Sequence, residues 1–342
     1  MKYSVTYLLY PDNKALEKAL EYFIGKLSDP DPEDIKPDTM VTVPDNFSHT
    51  RGNYEQHLYR GTLLDPARDL IEQDLTEEFR QQAPLEWAQT QNHFGNILAA
   101  QGQQLRDEAL YGKAIDAFNS ALEVLDQEAE PSKWAATQYN LGTASQAAGR
   151  QLRDSKLLKQ AVDAYTNALL VWTREQTPEE WASTMHQLGA TLHAHGLLLK
   201  GNRTFQKSAV AYNNALAVLD ADNHAFELTA AYNNRAVVLH HLAESEQNPE
   251  RLKEAVKSYD KAITVSMEQQ LPFHLPVICR VNKATAQNVL AELTKDTVLA
   301  EEMADEFELI IECFPHALQP LCLKHCEEHM NTAKSLAVAS SA

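Results

Sequence analysis

Apolar, small and polar positions recur along this chain at a fixed interval of 47 residues. Tryptophan stands at Trp87, Trp134 and Trp181, and each begins a similar segment that ends in glycine: WAQTQNHFG, WAATQYNLG and WASTMHQLG. Two further copies, LTAAYNNRA and PVICRVNKA, carry alanine in place of the glycine, and the last copy is one residue out of step. The interval predicts an array of about five similar structural units.

A second motif follows each first motif at the same interval. Its alanines lie three and four positions from an aromatic residue, and this spacing places them on one face of an α-helix. The aromatic positions are Phe118, Tyr165, Tyr212 and Tyr259. Each unit is therefore predicted to be a pair of helices, in which the glycine and the alanines allow the two helices to approach closely.

The W-x6-L-G pattern followed by A-x3-F/Y-x2-A resembles the tetratricopeptide repeat, and the W-A-x-T-x-x-x-L-G variety is similar to bacterial members of that family. The family unit has about 34 residues, so each copy here carries about 13 more. We place these extra residues in longer connections within the hairpins, such as QGQQLRDEAL. The resemblance covers roughly residues 66–292 and implies an all-α, right-handed superhelical solenoid of helical hairpins.

Outside the repeats the pattern changes. Residues 2–10 are aromatic and β-branched enough to predict a strand, residues 16–27 predict an amphipathic helix, and residues 28–47 are rich in proline and acidic residues. We therefore divide the chain into an N-terminal cap or partner region with a small α/β element, the helical repeats, and C-terminal capping helices that shield the last repeat. The expected boundaries are 1–60, 61–292 and 293–342.

In the tetratricopeptide family, the first helices of the repeats line a concave groove that holds an extended peptide or a helix. The resemblance implies that positions three before the glycine, and one, four and five after it, face this groove. The candidate groove residues are Asn92, Asn96, Tyr139, Thr143, Gln146, His186, His193, Asn233, His240 and His241. None is Lys or Arg, which disfavours the subclass that clamps a chaperone's C-terminal carboxylate. Amide side chains suit the main chain of an extended peptide, because they both donate and accept hydrogen bonds.

Two groups of histidine and cysteine could in principle bind a metal. His193 and His240 are one repeat apart and predicted to be neighbours, which fits a metal site, a pH-dependent contact or ordinary solvated imidazoles. A second group shares one helical face, but one straight helix rarely surrounds an ion with four ligands, and we favour core packing. Its members, Cys322, His325, Cys326 and His329, are the low-ranked metal candidates. We expect no cofactor.

Charge and composition exclude several classes of partner. The chain carries 30 Lys and Arg against 48 Asp and Glu, a formal net charge of −18. This balance disfavours nucleic acid and anionic membrane as partners and favours a basic one. Four cysteines, all in the last quarter, indicate a reducing compartment, and neither a signal peptide nor a membrane span is apparent. We expect a cytoplasmic protein.

Sequence motifs typical of enzymes are absent, including G-x4-G-K-[ST], G-x-G-x-x-G, H-E-x-x-H and G-x-S-x-G. The pattern therefore favours a non-enzymatic scaffold, adaptor or regulator that holds a protein or peptide in its groove. Two alternatives stay open: a solenoid sensor that binds a small molecule or peptide signal, and an accessory subunit of an enzyme complex. The sequence determines neither the partner nor the oligomeric state.

Overall fold

The computed structural model describes Leu9 and residues 64–314 and 320–338, and these residues form thirteen α-helices and no β-strand. The predicted N-terminal strand, helix and loop lie outside the described residues, apart from Leu9. The helices are α1 (64–74), α2 (Glu77–Gln82), α3 (Pro84–Leu105), α4 (Glu108–Leu122), α5 (Pro131–Leu152), α6 (Ser155–Ala168), α7 (Pro178–Leu199), α8 (Asn202–Leu216), α9 (Ala225–Glu246), α10 (Pro249–Glu268), α11 (His274–Thr294), α12 (Thr297–Cys313) and α13 (Pro320–Val338).

Each repeat is a pair of packed helices, and the predicted fold class, an all-α solenoid of helical hairpins, is confirmed. The first helix of each hairpin is called here an A helix and the second a B helix. The A helices are α3, α5, α7, α9 and α11, and the B helices are α4, α6, α8, α10 and α12. The handedness of the superhelix stays a prediction.

Close helix contact explains the small residue in each A helix. A Cβ atom added to Gly142 would lie 2.8 Å from the ring of Tyr165, and one added to Gly95 would lie 2.6 Å from the ring of Phe118. Both aromatic side chains are fully buried on their B helices. The aromatic residue of the second motif therefore packs against the glycine of the first, as the spacing predicts.

The extra residues of each repeat lengthen the A helices, so the prediction of longer connections within the hairpins was wrong. Four A helices contain 22 residues each, and only Arg106 and Asp107 join α3 to α4. The A helix ends where Arg106 adopts a left-handed conformation with φ 55°, and its N–H donates to the carbonyl of Gly102. Such an end needs no long connection, because one left-handed residue turns the chain sharply.

Contacts divide the chain into two units, which we describe separately. Unit 1 contains Leu9 and residues 173–314 and 320–338, and unit 2 contains residues 64–172. The division falls within the predicted repeat array, and the boundaries predicted at 60 and 292 stay predictions. Among the described residues, no helix is long and apolar enough to cross a membrane.

The last helix, α13, continues the repeat pattern of unit 1. It packs against α12 and also contacts α11, just as α11 contacts the preceding A helix, α9. Its side chains join an apolar cluster that contains Val281 of α11, Phe307 of α12 and Cys326 of α13 itself. Thus α13 covers the apolar side of the last complete hairpin in the way that a further A helix would.

Candidate functional site

Hydrogen bonds between polar side chains join neighbouring A helices within each unit. In unit 2, Asn140 Nδ2 donates to Asn92 Oδ1 at 2.9 Å. In unit 1, Asn234 Nδ2 lies 3.1 Å from His186 Nε2. Each A helix has one small residue, Gly or Ala, at the helix contact. In both pairs, the residue three positions before the small residue of one A helix contacts the residue two positions before the small residue of the next A helix. These pairs therefore bridge the face that the sequence predicts as the groove.

The predicted groove residues of unit 2 form local side-chain contacts. The ring of Tyr139 lies 5.5 Å from that of Tyr165 and 5.7 Å from that of Trp172. Thr143 Oγ1 is 3.1 Å from the Tyr165 hydroxyl. Among the other predicted residues of this unit, Asn96 and Gln146 are buried, whereas Asn92 is half-buried.

The predicted groove residues of unit 1 are all buried: His186, His193, Asn233, His240 and His241. The structure brings His193 against His241, with 2.9 Å between Nε2 and Nδ1 and with stacked rings. The sequence predicted His240 as the neighbour of His193. The partner of His193 is thus one residue further along the chain than predicted. The His186–Asn234 pair shows the same shift, since both hydrogen-bonded pairs are separated by 48 residues rather than by the repeat length of 47.

Burial keeps two of these histidines neutral. It lowers the pKa of His186 to about 4. It also lowers the pKa of His240 well below the ordinary value, and the nearby imidazole of His241 contributes in the same direction. Neither ring nitrogen of His240 has a hydrogen-bond partner among the described residues. A proton on either side chain would place a charge in a buried environment, which is unfavourable.

Asn234 binds the main chain of Leu9 through both ends of its amide. The Leu9 N–H donates to Asn234 Oδ1 at 2.8 Å, and Asn234 Nδ2 donates to the Leu9 carbonyl at 2.7 Å. An amide side chain can replace a neighbouring strand in this way, because it offers one acceptor and one donor group side by side. The pairing is shielded from water, since Asn234 is 0% exposed and Leu9 only 6%.

Neighbouring A helices hold the Asn234 amide in place. Asn233 Nδ2 donates to Asn234 Oδ1 at 3.0 Å, and Asn282 Nδ2 donates to Asn233 Oδ1 at 2.9 Å. Together with His186, these side chains link α7, α9 and α11. The amide that meets Leu9 is therefore oriented by the A helices themselves.

The side chain of Leu9 lies in an apolar cluster beside this amide. The cluster contains Ala230 of α9, Ala262 of α10, and Leu275 and Cys279 of α11. Burial raises the pKa of the Cys279 thiol to about 12, so it is a neutral and weakly polar part of the pocket. We call the Asn234 amide and this cluster together the Asn234 site. It binds the main-chain N–H and C=O groups of one residue together with the leucine side chain of that residue.

Sequence reasoning missed Asn234 and selected its neighbour Asn233. A signal was available, because asparagine stands two residues before the small residue in three repeats, at Asn140, Asn234 and Asn282. Leu9 could not have been assigned to the site in the same way. The sequence places it in a separate N-terminal region, 225 residues from Asn234.

The two cysteines of the low-ranked metal candidates belong to an apolar cluster. Cys322 and Cys326 pack there with Val281 and Phe307. The hydrogen bond between the two thiols, together with burial, raises the pKa of Cys326 above its ordinary value. The Cys326 thiol is therefore neutral within this apolar cluster.

The two histidines of that group bind side chains of α11. His325 Nε2 is 2.9 Å from Thr285 Oγ1, and His329 Nδ1 is 3.0 Å from Asn288 Nδ2. They thus repeat the contacts that join other A helices. Within residues 64–314 and 320–338 and at Leu9, no three or more His, Cys, Asp or Glu side chains are arranged to hold a metal ion.

Comparison with known proteins finds two solved structures with a weak likeness to this chain. No family profile matches the chain, and no curated protein matches it. The structure is similar to BtubC (BKLC) from P. vanneervenii, with 16% identity, coverage of 75% of this chain and 94% of that chain, and a TM-score of 0.45. It is also similar to the C-terminal part of a TPR repeat-containing protein from Cytophaga hutchinsonii, with 11% identity, coverage of 80% and 98%, and a TM-score of 0.33. Likenesses this weak carry no information about function, and the repeat assignment rests on the hairpins described above.

Proposed function

We propose that this chain is a non-enzymatic helical-repeat protein that binds protein partners by holding an extended segment against its A helices. The observation that carries the proposal is the paired hydrogen bonding of the Leu9 main chain by the Asn234 amide. A main chain offers the same N–H and C=O groups whatever its sequence. The Asn234 site can therefore accept a segment of another protein by the same two hydrogen bonds.

The rest of the site restricts which segment binds. Leu9 fills a cluster made mainly of alanine, leucine and cysteine side chains, so a partner segment presents a leucine-sized apolar side chain there. Larger aromatic side chains overfill a close-packed pocket. The net charge of −18 attracts a partner whose flanking residues are basic, which increases the rate of encounter more than the final affinity.

Affinity capture from the native cells tests this function with a matched pair of variants. Asn234→Ala removes both amide hydrogen bonds, whereas Asn331→Ala makes the same change at an exposed position of α13. We expect the full-length protein and Asn331→Ala to retain the same partner proteins. We expect Asn234→Ala to reduce their recovery at least about tenfold, because one unpaired buried polar group in a complex costs on the order of 1–3 kcal/mol.

Circular dichroism at the capture temperature is the control that checks whether each variant is folded. If folded Asn234→Ala recovers the same partners in the same amounts as Asn331→Ala, the Asn234 site is not the binding site. If neither Asn234→Ala nor Asn331→Ala recovers any protein in proportion to the amount of bait, the proposed function is wrong.

A further inference from the structure

We propose that Leu9 is a resident ligand of the Asn234 site, which a partner segment of the same chemistry displaces. This inference rests on the proposed function and adds its regulation. The displacing segment is an extended peptide that presents a leucine-sized side chain to the cluster and its N–H and C=O groups to Asn234. The chain thereby limits its own binding to partners that compete with Leu9.

The A helices build the site without help from Leu9. Asn234 is oriented by Asn233 and His186. Unit 2 has the equivalent pair, Asn140 and Asn92, two repeat intervals earlier in the chain. A site whose polar groups are held by the scaffold is preformed, and it stays available when its occupant leaves.

Leu9 contacts the site in the way that a peptide ligand would. Its hydrogen bonds to the site use main-chain atoms, and its side chain enters a pocket contributed by three helices. A peptide ligand from another protein would use these same groups. Residues 64–172, which follow Leu9 in sequence, form unit 2, whereas Leu9 belongs to unit 1. The contact therefore joins two parts of the chain that lie 225 residues apart in sequence.

Leu9 competes strongly with a free peptide because it belongs to the same chain as the site. A segment of the same chain is present at an effective concentration that can reach the millimolar range. The apparent dissociation constant of a free peptide is the intrinsic constant divided by the fraction of sites that are open. A site that Leu9 fills more than about 90% of the time therefore weakens the binding of a free peptide at least about tenfold.

The test uses a fluorescent synthetic peptide of residues 3–15, YSVTYLLYPDNKA, as the probe and the full-length chain as the receptor. Fluorescence anisotropy gives its dissociation constant for the unmodified chain and for Leu9→Pro. Proline removes the N–H that donates to Asn234 Oδ1, so the tethered segment is released. We expect the peptide to bind Leu9→Pro at least about tenfold more tightly than the unmodified chain.

Further variants test whether the peptide binds at the Asn234 site and whether the Leu9 side chain contributes to the competition. Leu9→Ala keeps the main-chain hydrogen bonds but loses the apolar contact, and we expect it to strengthen peptide binding by a smaller factor than Leu9→Pro. Leu321→Ala is its control, since Leu321 is 78% exposed on α13, and it should leave the dissociation constant unchanged. Adding Asn234→Ala to Leu9→Pro should abolish the binding.

The outcomes separate this inference from the proposed function. Equal dissociation constants for the unmodified chain and Leu9→Pro would show that Leu9 is no competitor, while the proposed function would stand. Binding that survives Asn234→Ala would place the peptide at another site and overturn the inference. If the peptide binds neither chain although circular dichroism shows both to be folded, both the inference and the proposed function are wrong.

Discussion

The Asn92–Asn140 pair of unit 2 and the His186–Asn234 pair of unit 1 occupy equivalent positions of the repeat, yet they have different surroundings. Asn140 donates to Asn92 from one A helix to the next. Asn234 makes the corresponding contact with His186 and in addition binds both polar groups of the Leu9 main chain. The comparison indicates that an amide placed to join two helices keeps enough hydrogen-bonding capacity to bind the main chain of a residue distant in sequence.

The two units also differ in their histidines. The described part of unit 2 contains a single histidine, His93, whereas unit 1 contains the buried group that includes His186, His240 and His325. Burial lowers the pKa of His93 and of His325 to about 4 in each case. Because unit 1 buries more histidines than unit 2, we expect acid to destabilise unit 1 more.

The largest expected effect tests the helix contact that both units share. Gly142→Leu in unit 2 forces a side chain into the ring of Tyr165, where even a Cβ atom would lie 2.8 Å away. We expect a loss of about 3 kcal/mol in the free energy of unfolding, measured by urea titration. Gly112→Ala is the control, because nothing lies within 4 Å of its added Cβ. It should be neutral or stabilise α4 by up to about 1 kcal/mol, and equal losses in both variants would contradict the packing explanation.

Substitution of the two equivalent asparagines tests the comparison directly. Asn234→Ala leaves the N–H and C=O of Leu9 without their partner in a buried site, and we expect it to cost about 2–3 kcal/mol. Asn140→Ala breaks one contact at a less enclosed position and should cost about 1 kcal/mol. Urea titrations of the two variants give both numbers. Equal costs would mean that Leu9 adds nothing to the stability of unit 1.

Mild acid should weaken unit 1 more than unit 2. The pKa of His186 is about 4 in the folded chain, below the ordinary value of 6.5, so the unfolded chain binds more protons between these two values. The stability that depends on neutral His186 is therefore present above pH 6.5 and is lost progressively as the pH decreases towards 4. At pH 5.5 we expect a loss of about 1 kcal/mol for each such buried histidine.

Hydrogen exchange with mass spectrometry at pH 7 and 5.5, corrected for the intrinsic exchange rate, measures this difference by unit. Protection should fall further in α7, α9 and α11 than in α3 and α5. His186→Gln, which cannot be protonated, should reduce the loss in unit 1. An equal fall of protection in both units would show that the histidines do not control the acid response.

The smallest expected effect concerns the start of the B helices. In unit 2, Asp154 caps α6 by accepting hydrogen bonds from Lys156 and Leu157, whereas Gly201 stands before α8 in unit 1 and makes no side-chain cap. The backbone of Gly201, with φ −118° and ψ 115°, is accessible to any residue. Gly201→Asp should therefore stabilise the chain by a few tenths of a kcal/mol, seen as a small rise in Tm. A lower Tm would contradict the comparison.

The helical hairpins and their close contacts could be predicted from the sequence because their causes are local. The spacing of Trp134, Gly142 and Tyr165 places a small residue opposite an aromatic one in every repeat. Helix ends were harder to predict. α3 ends at Arg106 in a conformation more typical of glycine, and α5 ends in the same way at Arg153. No residue in either connection marks that end by its type.

The sequence by itself determined the class of fold, the repeat length, the pairing of helices and the polar character of the A-helix face, because each depends on residues close together in the chain. Only the tertiary structure decided which side chains meet between neighbouring A helices. The step of 48 residues places Asn234 beside His186 and His193 beside His241. Only the tertiary structure also decided that Leu9 contacts Asn234. Main-chain N–H and C=O groups are alike at every position of the sequence, so only folding determines which of them reaches a distant amide.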